Sequence, residues 1–372
     1  MNIATSNAIA AVAASARRPS EARNSTPVGL APCPPPPHTG CEQPVAPASK
    51  IGAPRPVAEP PVAEPSAAEP PAARVATQHS APRATARPGG ILKRLTGDTR
   101  QRARVLAIAS GKGGVGKTNL AVNMAIALAE AGRRVLLVDT DLGLANVDLV
   151  LGRRPRGDLG HVLSGRLPLE QVVQEGPAGI RWIPGASHMP SLSRIGERRR
   201  EALLEGLTDL EGRHDFLLLD APAGIGQGVM HLARLADELI LVTTPEPTAI
   251  MDAYALLKGL AASQPATLGQ VRLVVNMVGH RGDAERVHQR LRDTAARFLG
   301  LSVELLGYVF CDGHVGRAVQ KQEPVVLAYP HSQAAWCIRR LAGALMDAEK
   351  APSRPPFAFF RRLANLFAIG QR

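Results

Sequence analysis

The stretch "GKGGVGKT" (residues 111–118) decides the fold. It follows a short apolar run, "RVLAIAS" (104–110). It opens a segment with helical spacing, "TNLAVNMAIALAEAG" (118–132), in which Leu120, Met124, Leu128 and Ala131 recur on one side and Gly132 supplies a C-cap. A glycine-rich turn between strand and helix that fits G-x-x-x-x-G-K-[ST] directs backbone N–H groups inward around phosphate oxygens, and the helix N-terminus adds its positive end. Gly111, Gly113, Gly114, Val115 and Gly116 form the cradle. Lys117 is the cation for the outer phosphates, and the Thr118 hydroxyl is a magnesium ligand.

Outward from this loop, apolar runs alternate with helical segments. "RVLLVDTD" (134–141), "IRWIP" (180–184), "FLLLDAP" (216–222), "ELILVTTP" (238–245), "VRLVVNMV" (271–278) and "LLGYVF" (305–310) read as buried strands. Helices are predicted near 194–211, 226–236, 248–262, 284–299 and 332–347. Continuous apolar strands alternating with helices predict a mostly parallel sheet covered on both faces, hence one three-layer α/β domain over 104–347. Ligands gather at the carboxyl ends of such strands.

The flanks differ in kind. Residues 1–90 hold 18 of the 32 prolines and no Phe, Tyr or Trp, and Ala-Glu-Pro recurs at 58–60, 63–65 and 68–70. Such a segment buries too little apolar surface to offset chain entropy, so a disordered Pro/Ala-rich arm is expected, followed by a basic linker at 91–103. The net charge of +12 divides as +7 over 1–104, +1 over 105–347 and +4 over 348–372. A near-neutral core argues against a basic DNA-reading face, and no specific DNA binding is expected. Basic flanks suit an anionic membrane surface or an acidic partner. The cysteines, Cys33, Cys41, Cys311 and Cys337, show no metal spacing; Cys311 and Cys337 read as small core residues. No run approaches the roughly 18 apolar residues of a membrane span.

Two strand-end acids complete a phosphoryl-transfer pattern. "LLLDAPAG" (217–224) places Asp220 where a magnesium-holding carboxylate belongs, although such an acid also serves as a helix cap. "DTDLGLANVD" (139–148) supplies Asp141 and Asn146. Asn276, in "VVNMV" (274–278), stands at the end of a later strand, where an asparagine also satisfies turns. A second loop lysine, Lys112, is not required by the cradle of its own subunit.

With these residues the chain resembles the MinD/ParA family of deviant Walker A ATPases. The resemblance implies ATP and Mg2+ as ligands and an ATP-bound homodimer in which Lys112 crosses to the partner's phosphates. It implies that Asp141 positions the attacking water, that Asn276 reads the adenine edge and that Glu246 touches the partner's nucleotide. "DLGLANVDLVLG" (141–152), "DLGHVLSG" (158–165) and "PEPTAIMDAYALLK" (245–258) are similar to the flagellar-number branch, the FlhG (FleN) ATPases. That branch implies work at the inner membrane, peripheral and ATP-dependent, with an FlhF-type GTPase, a flagellar transcription activator or a basal-body component as partner. Division-site MinD-type and ParA-type DNA or cargo partitioning ATPases are the alternatives. The family's Asp-Gln-Ala segment is missing: the matching stretch, "GGILKRLTGDTRQRAR" (89–104), keeps only Asp98, which puts stimulation of the GTPase in question.

Four of the seven phenylalanines sit in the tail, "PFAFFRRLANLF" (356–367). At helical spacing Phe359, Phe360, Leu363, Leu366 and Phe367 share an arc of about 120° opposite Arg361, Arg362 and Asn365. An amphipathic membrane-targeting helix within 348–372 is therefore expected. One short helix binds lipid weakly, and two copies in a dimer bind by avidity.

Overall fold

A computed structural model describes residues 103–141, 146–185, 197–262 and 268–348. The proline-rich arm, all of the basic linker except Ala103, and the tail with Phe359, Phe360, Leu363, Leu366 and Phe367 lie outside the described residues.

In chain order the elements are β1 (Arg104–Ser110), α1 (Lys117–Glu130), β2 (Val135–Asp139), the short helices α2 (Val147–Leu151), α3 (Leu159–Ser164) and α4 (Leu169–Val172), then β3 (Gln174–Glu175), β4 (Arg181–Ile183), α5 (Glu197–Arg213) and β5 (Phe216–Ala223). They continue through α6 (Gln227–Leu235), β6 (Glu238–Thr243), α7 (Pro247–Ala262), β7 (Gln270–Val278), α8 (Arg281–Leu299), β8 (Val303–Phe310), α9 (Gly313–Gln320), α10 (Val325–Ala328) and α11 (Gln333–Asp347). The sheet order is β3-β4-β2-β5-β1-β6-β7-β8, parallel except for the β3–β4 pair. The chain leaves β1 toward β2 on one side and later crosses to β6 on the other, so β1 is the point where the winding reverses. A crevice opens there at the carboxyl ends, and the loop 111–116 fills it.

The period of two along each strand sorts the core. Val105, Ala107 and Ala109 pack with Leu217, Leu219, Leu239 and Leu241 under α3 to α8. Leu106 and Ile108 pack with Leu137, Leu218, Ile240 and Val274 under α1, α2 and α9 to α11. Strands buried on both faces need no polar alternation, which is why they read as continuous apolar runs.

Two expectations are corrected by this packing. Helix α1 is buried from Leu120 through Leu128, not along one stripe, because it lies between the sheet and α11; Ala131 is exposed just beyond its end. Gly132 does take the left-handed conformation that closes it, with φ of 80°. Cys337 is buried in α11, but Cys311 is exposed, since β8 stops at Phe310 and the chain turns outward at the sheet's carboxyl edge.

Candidate functional site

The phosphate loop is shaped by backbone constraints that only glycine meets. A Cβ built on Gly111 would lie 2.1 Å from the Asp252 carbonyl oxygen of α7. Gly116 has φ of 83°, and its Cβ would lie 2.5 Å from Asn276 Nδ2. Gly116 is also the N-cap of α1. No side chain caps that terminus and no acid stands in its first turn, so its N–H groups are left for an anion.

Three side chains meet at the base of the loop. Lys117 Nζ donates to Asp220 Oδ1 at 2.7 Å and lies 3.3 Å from Thr118 Oγ1. The Thr118 hydroxyl also bonds the Asp220 carboxylate. Burial pushes the Asp220 carboxyl above the usual carboxylate range, and the Lys117 ammonium opposes that rise. Asp220 stands inside β5, which continues to Ala223. Between Ile108 and Ser110 the β1–β5 register slips by one residue, a bulge that turns the chain beside the loop.

Asp139, at the end of β2, is the register partner of Asp220 on the neighbouring strand. It is 1% exposed. Its carboxylate accepts from the backbone N–H of Asp141 at 3.0 Å, of Asn146 at 3.2 Å and of Val147 at 3.3 Å. Asp139 therefore holds both ends of the segment that carries Asp141. Burial, and then the charge of Asp220, push its carboxyl up to about 6 against the pull of those N–H groups. The motif reading passes over Asp139; its signal is its place as the first acid of Asp-x-Asp at a strand end.

The other expected residues fall on the same edge. Lys112 Nζ reaches Glu246 Oε2 at 3.0 Å and Thr248 Oγ1 at 3.1 Å, at the start of α7. Asn276 Nδ2 donates to the Val115 carbonyl at 2.8 Å. Lys112, Lys117, Thr118, Asp141, Asp220, Glu246 and Asn276 thus converge on the carboxyl edge, from five separate segments. Thr248 was not anticipated; nothing but its contact with Lys112 singles it out.

The residues fit a nucleotide with Mg2+. Thr118 and Asp220 offer the hard oxygen donors that this ion takes alongside phosphate oxygens, and the glycine cradle admits the phosphates without a clashing Cβ. Among the described residues no three His, Cys, Asp or Glu side chains gather as a metal-holding group, so the arrangement does not resemble a zinc or iron–sulfur centre.

A doubly wound sheet with a phosphate loop at its switch point, a lysine on a buried strand acid and a second loop lysine defines the P-loop NTPase class. The chain belongs to the ParA/MinD family: the family model ParA, described as NUBPL iron-transfer P-loop NTPase, matches residues 101–346. The antiactivator FleN of Pseudomonas aeruginosa is 39% identical over 252 residues, covering 68% of this chain and 89% of FleN. The flagellum site-determining protein YlxH of Helicobacter pylori is 30% identical over 275 residues, covering 72% of this chain and 91% of YlxH. Among solved structures, the septum site-determining protein MinD of Pyrococcus horikoshii, complexed with Mg-ADP, matches with a TM-score of 0.54 and 30% identity, over 66% of this chain and 96% of that one.

Proposed function

We propose that this chain is an ATPase switch that dimerises with ATP at the inner membrane and sets the number or placement of flagella. The observation that carries the reading is the Lys117–Thr118–Asp220 cluster in a chain 39% identical to FleN. The similarity to YlxH, a second flagellar protein, favours this over a division-site role.

The residues divide the work. Backbone N–H groups of Gly111, Gly113, Gly114, Val115 and Gly116, with Lys117, hold the outer phosphates. Thr118 and Asp220 would hold Mg2+, which when bound would offset the charge that builds on the phosphates during transfer. Asp141 orients a water in line with the terminal phosphorus; the new P–O bond forms as the bond to the ADP oxygen breaks. Lys112 leaves Glu246 and Thr248 to reach the phosphates held by the partner subunit, so the dimer forms only around ATP. Glu246 then contacts the partner's nucleotide, and Asn276 reads the adenine edge. Hydrolysis is slow alone and is stimulated by a partner, for which an FlhF-type GTPase, a flagellar transcription activator or a basal-body component are the candidates. The tail residues Phe359, Phe360, Leu363, Leu366 and Phe367 supply the lipid contact, doubled in the dimer.

One experiment separates these parts: sedimentation with anionic liposomes, plus phosphate release, for the parent chain, Asp141→Ala and a chain lacking 355–372. Asp141→Ala should sediment with ATP and turn over at least about a hundredfold more slowly. The truncated chain should dimerise with ATP and stay in solution. Parent-rate hydrolysis by Asp141→Ala, or unchanged sedimentation of the truncated chain, would refute the corresponding role. In flagellated cells, loss of the gene should change the count of flagella per cell under the electron microscope; an unchanged count and position would sink the flagellar reading.

A further inference from the structure

The helices α9 to α11, on the α1 side of the sheet, carry cations that no carboxylate answers. Arg317 lies on α9, Lys321 just past its end and Arg340 on α11. Among the described residues none of the three stands within ion-pair distance of an acid, whereas their neighbour Arg339 meets Glu130 at 3.0 Å. Each lies over an aromatic ring instead. Arg317 Cζ is 5.7 Å and Lys321 Nζ 5.0 Å from the Tyr329 ring centre, and Arg340 Cζ is 4.8 Å from that of Trp336. Such pairs occur about once per 70–80 residues. Three within residues 317–340 is a concentration, and it falls in a chain with only 3% aromatic residues.

The backbone holds the two rings on neighbouring turns. The Tyr329 carbonyl accepts from the Ser332 N–H at 3.0 Å, and the Ser332 carbonyl accepts from the Trp336 N–H at 3.0 Å. The Arg339 guanidinium ties α11 to the same corner, donating to the carbonyls of Val326 and Pro330. Trp336 and Arg340 are one turn apart on the outer side of α11, since Ala335, Cys337, Ile338 and Leu341 take the inner side. Trp336 is 39% exposed, and its indole N–H has no partner among the described residues.

These groups select a ligand class. A guanidinium laid on a ring keeps its N–H edge for a carboxylate, which it grips through two bonds. The indole N–H suits a backbone carbonyl. Trp, Tyr and Arg are also the side chains that carry most of the energy at protein interfaces. Acids at the rim limit the extent of the partner. Glu323 is exposed two residues past Lys321, and Asp347 is exposed at the end of α11. A membrane surface or a nucleic-acid duplex spreads its negative charge over the whole face and would meet both acids. A short acidic segment need not.

We propose that the face built on Tyr329 and Trp336 is a docking surface for an acidic peptide segment of a partner protein. Arg317, Lys321 and Arg340 take its carboxylates, and Trp336 takes an apolar side chain between them. None of these residues belongs to the phosphate-loop site, so the inference stands apart from the nucleotide reading.

Selection of a displayed library of random short peptides on the full chain tests it. The selected peptides should be rich in Glu and Asp beside Leu, Phe or Tyr. The chain has two tryptophans and Trp182 is fully buried, so a fluorescence change on adding a selected synthetic peptide reports Trp336. The same peptide with amides in place of its carboxylates should bind at least about tenfold more weakly. Arg317→Glu combined with Arg340→Glu should cost at least about tenfold in affinity, read by anisotropy of the labelled peptide, and Trp336→Ala about as much. Trp336→Phe, which keeps a ring, should stay within about threefold of the parent. Melting within about 4 °C of the parent would show these chains folded. If the double variant failed to fold, Lys321→Gln alone should still weaken binding about threefold. Peptides without an acidic bias, or equal binding by the parent and the folded variants, would overturn the docking surface. Phosphatidylserine vesicles and duplex DNA are the rival probes, and the double variant should match the parent with both. A loss of vesicle or DNA binding in that variant would assign the face to a lipid or nucleic-acid surface and overturn the proposal.

Discussion

The two ends of the sheet solve opposite charge problems. At the carboxyl edge two buried acids, Asp139 and Asp220, face one lysine, Lys117. At the amino edge two arginines, Arg104 and Arg272, share one buried acid, Glu238. The arginine side is held by the protein's own side chains and backbone, although Arg104 Nη2, Arg272 Nε and Glu238 Oε2 are buried without a directed hydrogen bond. Arg104 donates to the Leu345 carbonyl in the last turn of α11, and Arg272 Nη2 donates to Gln270 Oε1 at 3.0 Å. Arg272 Nε lies 3.2 Å from Glu238 Oε2 without the alignment of a hydrogen bond, a charge contact more than a directed one. The acid side is bonded within the protein as well, Asp139 by three backbone N–H groups and Asp220 by Lys117 and Thr118, but its surplus is negative and sits beside a glycine cradle, a setting suited to a divalent cation and phosphates. Both clusters are buried ion pairs. The sign of the surplus and the adjacent backbone separate the functional one from the structural one.

Removing the cation at the carboxyl edge should give the largest effect. Lys117→Ala takes away both the proposed phosphate contact and the group that keeps the Asp220 carboxyl from rising further. ATP turnover should fall more than about a thousandfold, measured by phosphate release. Turnover within tenfold of the parent would mean that this end is structural too.

The amino edge should respond in the other currency. Glu238→Ala leaves two arginines buried around a gap, and loss of one partner of such a cluster costs about 3–5 kcal/mol. Urea unfolding should show that loss, while the ADP affinity of the folded fraction stays at the parent value. A fall in ADP affinity would join the two ends and break the contrast.

The sequence disclosed the two ends unequally, for physical reasons. The carboxyl edge was legible in "GKGGVGKT" and in the acids Asp141 and Asp220, because phosphate binding imposes residue types at fixed spacing; the expected strand ends were misplaced, since β2 stops at Asp139 and β5 runs past Asp220 to Ala223. The mostly parallel sheet was legible because strands buried on both faces become apolar runs, and seven of its eight strands among the described residues were anticipated; β3, two residues long, leaves no period to read. The amino-edge cluster was invisible, because Arg104, Glu238 and Arg272 come from three strands and nothing local marks an arginine as buried. The short helices α2, α3, α4, α9 and α10 were missed because one or two turns give no stable periodicity.

A subtler test concerns Asp139. Its carboxyl is pushed up to about 6 in the folded chain, against an ordinary value of 3.8. Between those values the folded state keeps a proton that the unfolded chain has released. The stability this contributes is full below pH 3.8 and is lost as pH rises through 6. Two units correspond to roughly 3 kcal/mol. Asp139→Asn cannot titrate there, so its unfolding free energy should gain on the parent's by about that amount between pH 4 and pH 7. Turnover should meanwhile fall, because one amide cannot serve all three backbone N–H groups that fix the Asp141 segment. Parallel stability curves for the two chains would show that Asp139 is held ionised at no cost, and the acid surplus would lose its energetic meaning.

The smallest stability effect should come from the pair that lies on the carboxyl edge but outside the buried cluster. Lys112 and Glu246 are 39% and 62% exposed, and an exposed ion pair contributes about 0–1 kcal/mol. Lys112→Ala should therefore unfold within about 1 kcal/mol of the parent and, with ATP, remain a single chain in light scattering. That combination, a contact nearly worthless to the fold and decisive for assembly, is what a lysine kept for the partner's phosphates requires. A variant that loses more than this in stability would make Lys112 a structural residue of its own subunit. One that forms a normal ATP dimer would leave the contact with Glu246 and Thr248 as its only role.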